Sequence, residues 1–298
     1  MRIGVISRDV ELVTTNRFLE AGAALGFTMV PLRLLDGSVL IDGDGPQLWV
    51  RGEPQTDPLD GFIPRLGAYL PSLALAISRA LEHRGATPLN SSTAMECAFD
   101  KLRTAEVLAA AGLPTPRTML AKDLDHLDFA IDAVGGAPVV LKPSNGAQGR
   151  GVLLAESRAS AVAFLESLIV TGRDTLVQEW IPEARGEDRR LLVLDDTVIG
   201  AIVRRAREGE FRPNLHRGGS VEAIEPTAEE AELAVAAARA VGLRFCGVDL
   251  LRSAHGPTVV EVNGSPGLEG IERATGGDFA TAALRSLGDA IAATGGTR

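Results

Sequence analysis

The 298-residue chain carries 30 Lys and Arg against 39 Asp and Glu, a formal net charge of −9, which argues against a general nucleic-acid binder because phosphate recognition needs a basic face. Hydrophobic residues make up 45% and aromatics 4%, so the core must come from Ala, Val, Leu and Ile, at a length that favours two domains. Cys97 and Cys246 lie far apart with no C-x-x-C spacing and no apolar stretch is long enough to span a bilayer, which leaves a soluble enzyme of the reducing cytoplasm as the expectation.

Arg2 to Ser7 reads as a buried strand, cut off by Ser7, Arg8 and Asp9 too soon for a signal peptide. NRFLEAGAALG then has helical spacing with Gly26 as its stop, and FTMVPLRL is a second strand, so the opening is α/β. SVLIDGDGPQLWV holds two β-prone runs around Asp42-Gly43-Asp44-Gly45, a hairpin signal, and GFIPRLG is a further short strand. SLALAISRALEHRG is an amphipathic helix ended by Gly85, and the first domain is set at residues 1–95.

The second domain, 96–298, begins with a helix from Lys101 to Ala111 capped by Asp100 and stopped by Gly112, with LPTPRT as a rigid exit. APVVLK and GVLLAE are strands flanking the glycine-rich PSNGAQGRG, and TLVQEWI, RRLLVLDD and TVIGAIVRRA follow as strands. TAEEAELAVAAARAVG opens on the capping box Thr227-x-x-Glu230 and closes on Gly242. FCGVDLL and TVVEVN form a last strand pair turned at His255-Gly256, and fraying is expected in the Ala-rich helix beyond Phe279 and the terminal GGTR.

In TVVEVN, strand alternation sends Glu261 and Asn263 to one face and Val260 and Val262 into the core. If the turn makes the pair antiparallel, Asp249 comes alongside, and three oxygen donors suit Mg²⁺ held against nucleotide phosphates. Any one of the three is more simply an ordinary strand polar residue; the three together, followed by GSPG, favour the metal, with Mn²⁺ as an alternative ion. Lys142 stands between an apolar run and the loop carrying Gly146 and Gly149, where an ammonium and loop N–H groups meet phosphate oxygens. By itself the loop fits a plain surface hairpin equally well.

Lys101, in a first helical turn, opposes the helix macrodipole, which hints at a role beyond solvation. Glu179 and Trp180 end a strand where an adenine could lie, with Asp188 in reach of a ribose. Arg204, Arg205, Arg207 and Arg212, with Asn214, His216 and Arg217, form a basic island in an acidic chain; carboxylate and phosphoryl binding and simple ion pairing to Glu208 and Glu210 stand level as explanations. Nothing arranges a Ser-His-Asp or Cys-His nucleophile.

These residues resemble the ATP-grasp ligases and, within them, the RimK-type α-L-glutamate ligases. The resemblance is nearly full-length: ISRD, IPRLG, FDKLRTAEVLAAAGLPTP, VGGAPVVLKPSNGAQGRGV, LVQEWIPEARGEDRR, GVDLLR and above all EGEFRPNLHRGG and SPGLEGIE. It implies a Rossmann-like pre-ATP-grasp α/β domain followed by an α+β ATP-grasp fold of two subdomains gripping ATP, a central lid at about 113–180 and a C-terminal subdomain at about 181–298. Carried over by motif, Lys101 and Lys142 contact phosphates, Glu179 and Trp180 the adenine, and Asp188 the ribose. Arg212, Pro213 and Asn214 line the far wall, and Asp249, Glu261 and Asn263 bind metal. In this chain the loop reads K-P-S-N-G, where some RimK sequences carry a more apolar residue and an acid after the lysine.

The implied reaction phosphorylates a carboxylate with ATP and joins the acyl phosphate to an amine, with Arg204 or Arg205 steadying the intermediate. In the RimK form the amine is L-glutamate and the acceptor a protein C-terminus, of a small-subunit ribosomal protein, or a growing poly-α-glutamate. No direct nucleic-acid or membrane partner is implied, and a homo-oligomer is compatible. The rivals are an ATP-grasp ligase for a small acceptor and a non-catalytic nucleotide-binding module.

Overall fold

In the computed structural model of the protein, residues 1–66, 71–144, 151–170, 172, 174–207 and 219–295 are described. The apolar run RIGVIS forms β1 (Arg2–Ser7), buried almost throughout, as a parallel strand covered on both faces must be. It is followed by α1 (Val13–Ala24), β2 (Thr28–Arg33), β3 (Gly37–Asp42), β4 (Gly45–Val50), β5 (Glu53–Pro54), β6 (Gly61–Arg65), α2 (Pro71–His83) and β7 (Thr87–Pro88). Strands β2-β1-β6-β7 make one parallel sheet. The chain leaves β1 for β2 on one side and later returns to its other side as β6, so the order reverses between β1 and β6. The expected hairpin is there as β3 and β4, and β5 extends it into a separate three-stranded antiparallel sheet.

Two helices link the first sheet to the rest. The first, α3 (Ser92–Phe99), was not read from the sequence; Ser91 caps it, accepting from Ala94 N at 3.2 Å, and it runs across residue 95, where the first domain was expected to end. The second, α4 (Lys101–Ala110), is capped as expected by Asp100, whose Oδ1 accepts from Leu102 N at 2.9 Å and Arg103 N at 3.1 Å.

Then come β8 (Thr118–Ala121), α5 (Leu127–Ala133), β9 (Val139–Pro143), β10 (Leu153–Ala155), α6 (Arg158–Val170) and β11 (Thr175–Glu179), forming an antiparallel sheet of order β10-β9-β11-β8. This unit has a core of its own, in which Ile131, Leu141, Leu165 and Val177 are fully buried.

The remaining elements are β12 (Glu187–Leu194), β13 (Thr197–Arg205), β14 (Ser220–Ala223), α7 (Ala228–Val241), β15 (Phe245–Ser253), β16 (Gly256–Asn263), α8 (Glu269–Thr275) and α9 (Phe279–Gly295). Their antiparallel sheet runs β14-β13-β12-β15-β16. One face, with Leu191, Val193 and Val248, packs on Leu233, Ala234 and Ala237 of α7, whose capping box forms as expected. The other face, with Leu192, Ile202 and Phe245, shares a single core with Ile3, Val5 and Phe18 of the first domain and Leu284 and Leu287 of α9. Phe18 and Phe245 meet edge to face at 6.3 Å, so the first and third sheets are joined by one apolar interior while the middle sheet stands on its own. The Ala-rich helix beyond Phe279, expected to fray, is instead anchored in that core: Ala280, Ala283, Leu284 and Leu287 are all fully buried.

A second correction concerns TVVEVN. Asp249 pairs with Glu261 and Leu250 with Val259, so Val260 is an extra residue opposite none, a β-bulge. The bulge shifts the alternation: Val259 and Val262 are the core valines, and Val260 turns to the cleft beside Glu261.

Candidate active site

The N-terminus of α4, the end of β9, β11 and β16 enclose a cleft lined by Lys101, Leu108, Lys142, Gln178, Val260 and Glu261. The backbone closes it: Lys101 N donates to Ser144 O at 3.0 Å, tying the helix start to the strand that carries Lys142. Strand alternation in β9 puts Val139 and Leu141 in the central core and turns Lys142 outward to the cleft. Lys142 is nonetheless buried, its Nζ donating to Gln178 Oε1 at 2.9 Å, and Gln178 Nε2 in turn donates to Thr118 Oγ1 at 2.8 Å. Burial lowers the ammonium to about 8; Glu261 pulls it back up and Lys101 pushes it further down.

The charged row that continues from Glu261 crosses four of the third sheet's five strands, β16, β15, β12 and β13. Asp249, paired with Glu261 across the strands, is buried and accepts from Arg190 Nε and Nη2, both at 2.7 Å, and from Arg204 Nη2 at 2.8 Å. Arg204 also grips both oxygens of Asp188, with Nε at 2.6 Å from Oδ1. Burial opposes the charge of Asp249, but the two guanidiniums hold its carboxyl below the ordinary range. Asp188 is raised to about 6 by the same loss of solvent, only partly countered by Arg204.

The predicted residues therefore separate into those that converge and those that do not. Lys101, Lys142 and Glu261 share the cleft, and Asp249, Asp188 and Arg204 form the adjoining row. Arg205 lies on the opposite face of β13, half exposed, with Nε donating to Glu187 Oε1 at 2.8 Å and Nη1 to Glu222 Oε2 at 2.6 Å. Glu179 ends β11 with its carboxylate taken by Arg117, Nη2 at 3.1 Å and Nε at 3.2 Å, and Trp180 beside it is half buried. Gly146, Gly149, Arg212, Pro213 and Asn214, with His216 and Arg217, lie outside the described residues.

The donor set fits magnesium. Among the described residues no group of three or more His, Cys, Asp and Glu is placed to hold a metal, so an all-protein cage is absent there. What is present is two cross-strand carboxylates and an amide, the partial set that Mg²⁺ takes when phosphates complete its shell. Asn263 Oδ1 accepts from Ser265 N at 2.9 Å, whereas no hydrogen bond or ion pair ties the Glu261 carboxylate to a described residue. Glu261 is thus the carboxylate left open to the cleft.

Comparison with known proteins gives this geometry its family. A RimK-like ATP-grasp domain model matches residues 98–287, and a RimK PreATP-grasp domain model matches residues 1–95. The chain belongs to the RimK-like ATP-grasp family. It is 45% identical over 280 residues to a protein of Pseudoalteromonas translucida (strain TAC 125) named "Probable alpha-L-glutamate ligase", covering 94% of this chain and 93% of that one. A protein of the same name from Pseudomonas paraeruginosa (strain DSM 24068 / PA7) is 44% identical over 287 residues, covering 96% and 95%. A RimK domain ATP-grasp protein from Sphaerobacter thermophilus DSM 20745 superposes with TM-score 0.73 at 21% identity, covering 96% and 99%. The D-alanine–D-alanine ligase of Bacillus anthracis complexed with ATP does so with TM-score 0.70 at 19% identity, covering 99% and 98%; at such identities the likeness is one of fold.

Two members of this candidate site escape the sequence reading. Arg190 holds Asp249 and lies over Gly247, where a Cβ would come within 3.3 Å of its Nε. Its signal was available, since Arg190 falls on the same strand face as Asp188 two residues earlier. Gln178, the anchor of Lys142, gives no such signal, because a glutamine in a strand is ordinary and its partner is set by register.

Proposed function

We propose that the chain adds L-glutamate to an acceptor carboxylate through an acyl phosphate, with a protein C-terminus of the ribosomal small subunit as the acceptor and the cytoplasm as the setting. As a RimK-like ATP-grasp protein it is an ATP-dependent ligase. The single observation that supports the site is the convergence of Lys101, Lys142 and Glu261 on one cleft between two sheets, with Arg204 and Asp249 beside it.

An acceptor carboxylate oxygen attacks the γ-phosphorus of ATP, the bond to the β-bridging oxygen breaks, and ADP leaves. The glutamate amine then attacks the acyl carbon, loses a proton and expels phosphate. Phosphoryl transfer is chiefly a matter of positioning and charge neutralisation, and no protein nucleophile is required. Lys142 offers a nearly desolvated ammonium to the phosphates, and Lys101 a second cation at the helix start. Arg204, held by two carboxylates, is a preorganised donor for the acyl phosphate and its tetrahedral adduct. Asp249, Glu261 and Asn263 would hold Mg²⁺, which supplies charge stabilisation on the phosphoryl oxygens.

The test is ADP release from ATP that requires both Mg²⁺ and L-glutamate, with intact-mass measurement of small-subunit ribosomal proteins after incubation. A ladder in glutamate steps on one of them is expected. A ladder absent from every ribosomal protein, with glutamate-dependent ADP release intact, redirects the acceptor to a small molecule; no ADP release across a panel of amino acids and acceptors removes the ligase reading.

A further inference from the structure

We propose that Arg65, at the end of β6 in the first domain, binds an unreacted carboxylate of the amino-acid substrate; this rests on the ligase reading above. The first sheet reverses its strand order between β1 and β6, and Ser7 and Arg65 are register partners at the carboxyl ends of those two strands. In open α/β sheets that crevice is where ligands bind.

The guanidinium is held in place but not neutralised. Nη1 donates to Pro266 O at 2.8 Å, and the Cζ stands 5.8 Å from the centroid of the Phe18 ring. Pro266 belongs to the turn that leaves β16 directly after Asn263, so this contact brings the first-domain crevice up against the metal-binding strand. Nε is enclosed without a hydrogen-bond partner, and no ion pair joins Arg65 to a described acid. Burial accordingly lowers its basicity, to about 10, with no acidic neighbour to offset the loss of solvent.

Among the described residues, the other deeply placed arginines each have a carboxylate: Arg190 has Asp249 and Arg204 has Asp188 and Asp249 in the site, and Arg189, on the opposite face of β12, has Glu230. Arg65 differs in having a backbone carbonyl at one nitrogen and the Nε–Nη2 edge left over. That edge is a fork of two parallel donors, the geometry that matches a carboxylate. A buried donor and charge left unmatched are costly, and an incoming acid relieves both. The reacting carboxylate must lie at the phosphoryl site beside the lysines, so the one at Arg65 is a carboxylate that survives the reaction. Glutamate has two.

The test follows ADP release by the full chain and by Arg65→Gln and Arg65→Lys, with L-glutamate, L-glutamine and glutamate α-amide as amines. Arg65→Gln is expected to raise KM for L-glutamate about 10- to 100-fold, the scale of one hydrogen bond to a charged group, with KM for ATP within about twofold. Its preference for L-glutamate over the amide lacking the recognised carboxylate should shrink by the same factor, and Arg65→Lys should recover part of it. A parallel rise in both KM values, or unchanged discrimination against both amides, overturns the assignment.

If the wild type releases no ADP with glutamate, the ligase reading fails separately. The Arg65 site is then read from the melting temperature of the Mg²⁺–AMPPNP complexes of wild type and Arg65→Gln across amino acids and dicarboxylates. Stabilisation by a carboxylate ligand in the wild type alone supports the site; equal responses overturn it. Nucleotide-dependent stabilisation of Arg65→Gln shows that the variant is folded, and Arg65→Lys carries the same comparisons if it is not.

Discussion

Arg204 spans two carboxylates on different strands, its Nη2 standing 2.8 Å from Asp249 Oδ2 while its Nε stands 2.6 Å from Asp188 Oδ1. The guanidinium is therefore fixed in direction before any substrate arrives. Fixed donors are the ones that lower barriers, because they need not reorganise when charge develops. Arg204→Ala is expected to lower kcat about 10²- to 10³-fold, the cost of one such donor. Arg205→Ala, on the far face and bound to Glu187 and Glu222, is expected to keep kcat within about threefold. Single-turnover rates of the two variants check the contrast, and equal losses would assign no special role to Arg204.

Glu261 differs from Asp249 in having no hydrogen bond or ion pair to a described residue. Removing its charge costs the fold little, whereas it removes the open ligand of the proposed metal site. Glu261→Gln should raise the Mg²⁺ concentration for half-maximal ADP release by about tenfold or more while shifting stability by less than about 0.5 kcal/mol. A Mg²⁺ titration beside a denaturation curve separates the two effects.

Lys142 links the site to pH. Its ammonium is depressed by burial to about 8, and a bound triphosphate favours the charged form, so Mg²⁺–ATP affinity should be highest below that value and decline as pH rises through it. The stability term has its own sign. Between about 8 and the ordinary 10.5 the unfolded chain holds the proton that the folded chain has lost, so stability contributed at this position rises with pH across that window. Lys142→Met should flatten both dependences. Nucleotide dissociation constants and unfolding free energies on either side of pH 8 test them, and a pH-independent affinity in the wild type contradicts the first.

The shared interior of the first and third sheets predicts where truncation costs the chain most. Leu284 of α9 is fully buried in the core that also holds Phe18 and Phe245, so Leu284→Ala should cost about 2–5 kcal/mol. Chemical denaturation measures it, and a cost near zero would show that α9 does not hold these two sheets together.

How far the sequence could lead depended on what each feature needed. β1, the α4 cap at Asp100, the α7 capping box and the β15–β16 pair rest on local spacing and caps, and they stand where spacing put them. Helix α6 escaped because RASAVAFLESLIV is apolar nearly all round: Ala161 and Leu165 are buried while Phe164 and Val170 are exposed, so no single stripe marks it. In the site, Glu261 and Asp249 were legible through alternation and turn length. The bulge at Val260 was not, since it appears only when the partner strand is counted residue by residue. The same holds for Arg190 on Asp249 and for Arg65 on Pro266, the latter joining residues 201 apart in the chain.

The decisive measurement is ADP release from the purified chain with Mg²⁺, ATP and small-subunit ribosomal protein, with and without L-glutamate, read beside the intact mass of the acceptor. A glutamate ligase forms ADP in step with glutamate added to the acceptor, and neither without glutamate. ADP release indifferent to glutamate, with no change in acceptor mass, would contradict glutamate ligation.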